Sequence, residues 1–297
     1  MQFFEFTYFN PDTVMHFCKK ILVILTFATL LSLPVLASVI PSDVVIDASV
    51  SFDDDPSTGS VAVTGTASQT ATLGLILGGV EQQSLVDNLS VTGVLPAPGR
   101  LQETGDGITL DASITGDAED IIRGFFFDFD FSLSNTSSTS DYMLIFQIMY
   151  ENNANANTAQ ATQFDAFADS KSFFENDDSG NELFFTDLTS DSLGDQIAGD
   201  DVDPLTFGAP LNESGTLDIP ITLPRNGSID LFGEMELAGE NFLAFGAFAA
   251  SQTLSITLFS ISSLNQPPSN VPVPNMIILS LLSTLILFRV RRRVVSS

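Results

Sequence analysis

Between Ser38 and Asn270, apolar and polar residues alternate with a period of two far more often than with the 3.6-residue period of a helix. Successive side chains of a strand point to opposite faces, so this alternation predicts half-buried strands. The clearest run is Phe125 to Phe131, FFFDFDF, which sets Phe127, Phe129 and Phe131 on one face and Asp128 and Asp130 on the other. The same pattern predicts strands at Val44 to Phe52, Ser60 to Thr66, Ile108 to Ile114, Tyr142 to Tyr150, Gly215 to Leu223, Ser228 to Leu237 and Thr253 to Ile261. Stretches such as DDDPSTGS, LPAPGR and LPRNGS separate them, and their Asp, Asn, Gly, Ser and Pro residues favour turns. No segment has the capped pattern of a long amphipathic helix. Two strand-poor tracts stand out: ENNANANTAQATQ at residues 151–163, read as a long exposed loop, and the acidic stretch from Asp187 to Pro210. Many short strands punctuated by turns predict an all-β, antiparallel β-sandwich rather than βαβ units.

The pattern changes at both ends. Residues 15–38 read MHFCKKILVILTFATLLSLPVLAS, with Lys19 and Lys20 as a basic start and Ile21 to Leu33 as an apolar run shorter than a membrane span. Val35-Leu36-Ala37 then provides small or aliphatic residues before Ser38, as a signal peptide removed between Ala37 and Ser38 requires. Glu5 and Asp12 are unusual ahead of an export signal, so Met15 is an alternative start. At the other end, NQPPSN (265–270) reads as a linker kept extended by Pro267 and Pro268. Val271-Pro272-Val273-Pro274 breaks any strand, because proline fixes φ and has no N–H to donate. An apolar transmembrane helix is predicted from Asn275 to Val290, and Arg289, Arg291, Arg292 and Arg293 hold its end in the cytoplasm by the positive-inside rule. The organisation expected is a signal peptide at 1–37, a body at 38–264, the linker, and a tail at 271–297.

The tail, with its proline-containing motif, hydrophobic helix and arginine stub, resembles the PEP-CTERM sorting signal of Gram-negative bacteria, over about the last 27 residues. The motif here is VPVP, with Val273 where the family most often has an acidic residue. The resemblance implies an exosortase-type processing enzyme as partner, cleavage near Pro272 to Pro274, and delivery to the cell surface or exopolysaccharide matrix. A second resemblance lies in the body. Phe129 to Tyr150, followed by Leu223-Pro224-Arg225-Asn226-Gly227-Ser228, resembles the paired strands and turn of immunoglobulin-like extracellular modules, with Asn135 to Ser138 as a hydrogen-bonded turn. The sandwich is therefore expected to be jelly-roll or immunoglobulin-like.

Composition narrows the chemistry. Outside the two end segments, four basic residues (Arg100, Arg123, Lys171, Arg225) face 35 acidic ones, a net charge of −31. Such a surface repels nucleic-acid phosphate and attracts divalent cations and basic partners, so no nucleic acid is expected to bind. The only histidine, His16, and the only cysteine, Cys18, fall in the predicted signal peptide. Cys18 precedes the apolar run, which does not suit lipid attachment. The body then has no thiol, imidazole or indole for catalysis, disulfides or zinc, and any activity must rest on carboxylates.

No cofactor is expected other than calcium, the cation that suits oxygen ligands outside a cell. Its candidate loops are Asp53-Asp54-Asp55, Asn176 to Glu182 with Asp177, Asp178 and Glu182, and Asp200-Asp201-Val202-Asp203. The middle loop departs from the EF-hand pattern, since Thr186 occupies the twelfth position counted from Glu175. Asp128 and Asp130 lie about 6.5–7 Å apart along one strand face, near the spacing of glycosidase carboxylates. A shallow polar face is not expected to raise the pKa of the acid partner of such a pair. The reading is an exported, non-enzymatic cell-surface or exopolysaccharide-matrix protein, carried by the Sec machinery and held in the inner membrane by its tail. A carbohydrate-binding module and a carboxylate-dependent polysaccharide-degrading enzyme are the alternatives.

Overall fold

A computed structural model describes residues 37–55, 59–117, 119–157, 166–191, 195–198, 200–201, 210–241 and 246–265. The chain separates into Met1–Ala37 and Ser38–Ser297. The predicted signal helix and the predicted transmembrane helix lie outside the described residues.

Among the described residues the body is all-β, with two antiparallel sheets. The first has eight strands, in the spatial order β12 (Asp200–Asp201), β11 (Gln196–Ile197), β10 (Asn181–Asp191), β9 (Ala166–Asn176), β14 (Ser228–Asn241), β7 (Ile121–Asn135), β1 (Val44–Asp53) and β5 (Gly99–Arg100). The second has seven, in the order β13 (Leu211–Leu223), β8 (Tyr142–Asn157), β15 (Ala247–Ser263), β6 (Gly107–Gly116), β2 (Ser68–Leu77), β3 (Val80–Asp87) and β4 (Ser90–Thr92). The alternation read from the sequence decides which side of each strand is inside. On β7, Phe125, Phe127, Phe129 and Phe131 are fully buried, while Asp128 and Asp130 take the opposite, outer face. The ring of Phe131 meets that of Phe146 from the other sheet at 5.1 Å and that of Phe174 from β9 at 5.9 Å. Each aromatic side chain buried in this way contributes roughly 1.5–3 kcal/mol of apolar transfer.

The two sheets are joined at one end by stacked arches. The stretch resembling paired immunoglobulin strands is corrected here: β7 and β8 belong to opposite sheets, so Thr136–Asp141 crosses between sheets instead of turning a hairpin. The LPRNGS connection from β13 to β14 crosses in the same way. The arches bind each other, with Asn135 N donating to Gly227 O (2.9 Å) and Asn226 N to Ser137 O (3.1 Å). The Asn135 amide adds bonds to Ser140 O (2.8 Å) and Pro224 O (3.1 Å). Both connections carry the turn chemistry expected of them, yet that chemistry is compatible with hairpin and arch alike.

Three further expectations change. Ser60 to Thr66 is not a strand; Ser60 instead joins the ends of β1 and β7, its N–H bonding Asp53 O (2.8 Å) and its hydroxyl accepting from Phe126 N (2.7 Å). The polar tract after Tyr150 continues β8 as far as Asn157, with Asn152, Ala154 and Ala156 buried. There the small side chains fit between the sheets, and the Asn152 amide bonds the Thr186 hydroxyl (2.7 Å), which donates on to Glu213 (2.6 Å). In the acidic stretch from Asp187 to Pro210, β10 runs on to Asp191 and two short strands, β11 and β12, follow.

Candidate functional site: an acidic sheet face

The outer face of the eight-stranded sheet gathers acids that are distant in sequence. Antiparallel register sets them in rows across β1, β7, β14 and β9. One row is Ser49, Asp130, Phe232 and Glu175. The next is Ser51, Asp128, Glu234 and Phe173. The third is Asp53, Phe126, Glu236 and Lys171, continued by Asp187 on β10. Neighbouring residues in a row are about 4.5–5.5 Å apart, so like charges opposite one another repel.

The phenylalanines interleaved with the acids take water away from the carboxylates, and this decides their protonation. Burial raises Glu236 to about 7, helped by Asp169 and Glu234 and opposed by Lys171. Burial likewise raises Asp128 to about 6, with Asp53, Glu234 and Asp130 adding repulsion. Asp169 is also raised to about 6 by burial and by Asp187, against a hydrogen bond from Thr189 (2.8 Å) and the charge of Lys171. Burial pushes Asp130 and Glu234 upward too. The expectation that a shallow polar face leaves the acid partner of the Asp128 and Asp130 pair unshifted is thus overturned, because the Phe-lined rows leave each carboxylate only partly solvated.

A hollow of about 420 Å³ opens at one end of this face, lined by Asp130, Phe131, Ser132, Asp177, Asp230, Leu231 and Phe232. Ser132 donates to Asp230 (2.7 Å), and Ser49 donates to Asp130 (3.1 Å). The candidate calcium loops distribute around the face. Asp53 ends β1 beside Asp128 and Glu234, and its Oδ1 accepts from Asp55 N (2.9 Å). Asp177 and Asp178 form the turn between β9 and β10, and Asp177 reaches the hollow. Glu182 pairs in register with Glu175. Asp200 and Asp201 form β12 at the sheet edge, paired with Ile197 and Gln196. Asp203, Val271, Pro272, Val273, Pro274 and the four tail arginines lie outside the described residues. Among the described residues no three acids converge closely enough to hold a metal ion. The face therefore offers a field of carboxylates that attracts cations.

Glu234, Glu236, Asp169, Asp187 and Asp230 were not singled out in the sequence. The alternation Gly233-Glu234-Met235-Glu236-Leu237 was a usable signal, being the counterpart of the Phe-Asp alternation on β7. Nothing in the sequence said that the two strands are neighbours.

These carboxyls make stability depend on pH in a definite direction. A carboxyl whose folded pKa exceeds its unfolded value binds its proton more tightly in the folded state, so its stabilising contribution is complete below the unfolded pKa and is lost as pH rises through the folded one. For Asp128, Asp169 and Glu236 that window runs from about 4 to about 7. Acidification from pH 8 to pH 5 is expected to stabilise the body by on the order of 3 kcal/mol, after a discount for solvent screening. Thermal melts across that range test it, and a midpoint that falls on acidification contradicts the assignment.

The class defined by fold and face is a two-sheet antiparallel β-protein with an acidic outer face. No known protein-family model matches the chain, and no curated protein sequence matches it. Among solved structures, one of infectious bursal disease virus strain Gx aligns at 10% identity and a TM-score of 0.17, covering 82% of this chain and 72% of that one. A VP2 subviral particle of the same virus aligns at 11% identity and a TM-score of 0.17, covering 86% and 74%. These scores are far below those of a shared fold.

Proposed function

We propose that the chain is an exported, non-enzymatic protein of the bacterial surface or extracellular matrix, processed at both ends, whose sheet faces make its contacts. The observation that carries this reading is the acidic outer face, where strand pairing sets Asp128 and Asp130 of β7 beside Glu234 and Glu236 of β14. The body read from the sequence as 38–264 begins with a reciprocal contact. At its start, Ser38 N donates to Thr104 Oγ1 (2.8 Å) and Thr104 N returns to Ser38 O (2.9 Å). A cut after Ala37 leaves both bonds in place.

Two faces of different chemistry support a role in contact rather than turnover. The acidic face holds mobile cations such as calcium close to the protein and through them binds other acidic polymers. The outer face of the seven-stranded sheet is dominated by hydroxyls, with Thr70 bonded to Ser113 and Ser68 to Thr115 (both 3.0 Å). Ser251, Thr253, Ser255 and Thr257 alternate along β15 beside them. Such rows suit a hydroxylated matrix polysaccharide. In this reading the tail enters the inner membrane until an exosortase-type enzyme removes it.

Intact mass spectrometry of the protein from membranes and from the medium tests the reading. Loss of residues 1–37 from both pools, with loss of the segment after about Pro274 from the medium pool, is the expected result. A full-length chain recovered from the cytosol contradicts it.

A further inference from the structure

We infer that the end of the sandwich bearing the stacked arches is the face the body turns toward the bilayer entered by its tail. This rests on the proposed membrane-inserting tail and adds an orientation that the sequence does not contain. Asn265 leaves the body at the arches, where its side-chain amide donates to Thr139 O (3.2 Å) and Asp141 Oδ2 (3.0 Å). The backbone is fixed at the same place, with Leu264 N donating to Asp141 O (2.8 Å). Asp141 is in turn held by Arg225 of the second arch (3.2 Å). The exit point is thus tied to both arches.

Only residues 266–274 separate that exit from the predicted helix start at Asn275. Nine residues span at most about 30 Å when fully extended. The 16 residues of β8 run from the arches to the opposite end, a distance of roughly 50 Å at the strand rise. The tether therefore keeps the arch end, where Asn265 leaves the body, within about 30 Å of the bilayer.

The N-terminal side agrees independently. Ser38 pairs with Thr104, and the next residue, Gly105, donates to Leu258 O (2.8 Å) in the last third of β15. Both ends of the body thus emerge in the same half of the sandwich, as a precursor with a signal peptide and a tail in one membrane requires. Exposed apolar side chains lie there too: Val39 (75% exposed), Phe259 (51%) and Leu264 (48%). Side chains of this kind partition into the interface between headgroups and acyl chains. The arch end closes with short connections, whereas residues 54–67, 158–165 and 242–246 connect strands at the other end.

The body has no cysteine of its own, which makes site-specific labelling direct. In full-length chain carrying Cys18→Ser, single cysteines placed by Ser138→Cys, Leu264→Cys or Thr115→Cys receive an environment-sensitive fluorophore. Ser138 and Leu264 mark the arch end and Thr115 the far end of β6. Each variant is reconstituted into vesicles of phosphatidylethanolamine and phosphatidylglycerol containing a headgroup-nitroxide lipid. Quenching several-fold stronger at Ser138 and Leu264 than at Thr115 is the expected result. Chain that floats with the vesicles but is quenched equally, or more at Thr115, overturns the orientation and leaves the tail reading intact. Chain that does not float with the vesicles overturns the tail reading and the orientation with it.

Discussion

Replacing Phe131 by alanine is expected to destabilise the body by about 3–5 kcal/mol, the range found for emptying a well-packed aromatic site. The ring is fully buried in the last third of β7 and is the point where three strands of two sheets meet, through Phe146 on β8 and Phe174 on β9. Phe129 and Phe174, themselves in contact at 5.9 Å, are too tightly engaged to collapse into the space left. The preceding residue provides the control. Asp130 points out of the same strand into the acidic hollow, and burial and repulsion from Asp177 and Asp230 disfavour its charge. Asp130→Asn should therefore leave stability unchanged or raise it slightly at pH 8. Chemical denaturation of the two variants measures the contrast. A Phe131→Ala loss below about 1 kcal/mol would mean that the sheets do not close over this ring.

That one-residue contrast shows what the sequence makes legible. Strand periodicity assigns Phe131 inward and Asp130 outward without further information, because the pleat forces it. It also located most of β1, β6, β13, β14 and β15, and the central part of β7. It missed β9, where the inward residues Ser170 and Ser172 are small and polar because they bond the buried Gln252 from the facing sheet, at 3.4 and 2.6 Å. A strand whose interior face is polar has no hydrophobic alternation to read. The extension of β8 through Asn152, Ala154 and Ala156 escaped for the same reason.

The candidate site was half legible. Asp128 and Asp130 were visible as a pair, but their raised pKa comes first from burial and then from Asp53 and Glu234 at Asp128 and from Asp177 and Asp230 at Asp130, all of which the fold brings near. Pairing partners such as Asp128 and Glu234 are more than one hundred residues apart in the chain. Turn residues gave no sign that β7 to β8 and β13 to β14 cross between sheets. The choice between hairpin and arch is set by the partners each strand finds, and these are long-range contacts.

The acid with the largest expected structural effect is Asp106, which looks in the sequence like one more turn residue in TGDG. Its side chain is completely buried and accepts four backbone N–H groups: Gly78 (2.8 Å), Gly79 (2.9 Å), Gln102 (2.7 Å) and Glu103 (3.1 Å). Gly78 and Gly79 form the two-residue turn between β2 and β3 with φ of 59° and 70°, a left-handed conformation in which glycine is favoured and which directs both N–H groups to one acceptor. The carboxylate thereby fastens that hairpin to the segment leading into β6. Asp106→Ala leaves these donors without their acceptor and is expected to cost about 3–5 kcal/mol. Asp106→Asn, which keeps one acceptor oxygen, should cost less. Denaturation midpoints in the order wild type, Asn, Ala support the cage, and an alanine variant as stable as wild type eliminates it. The outcome also governs how a binding surface can be mapped on a body of charge −31. Neutralising Asp128, Asp130 or Glu236 tests the acidic face with the fold intact, whereas losing Asp106 removes function by loosening the sandwich.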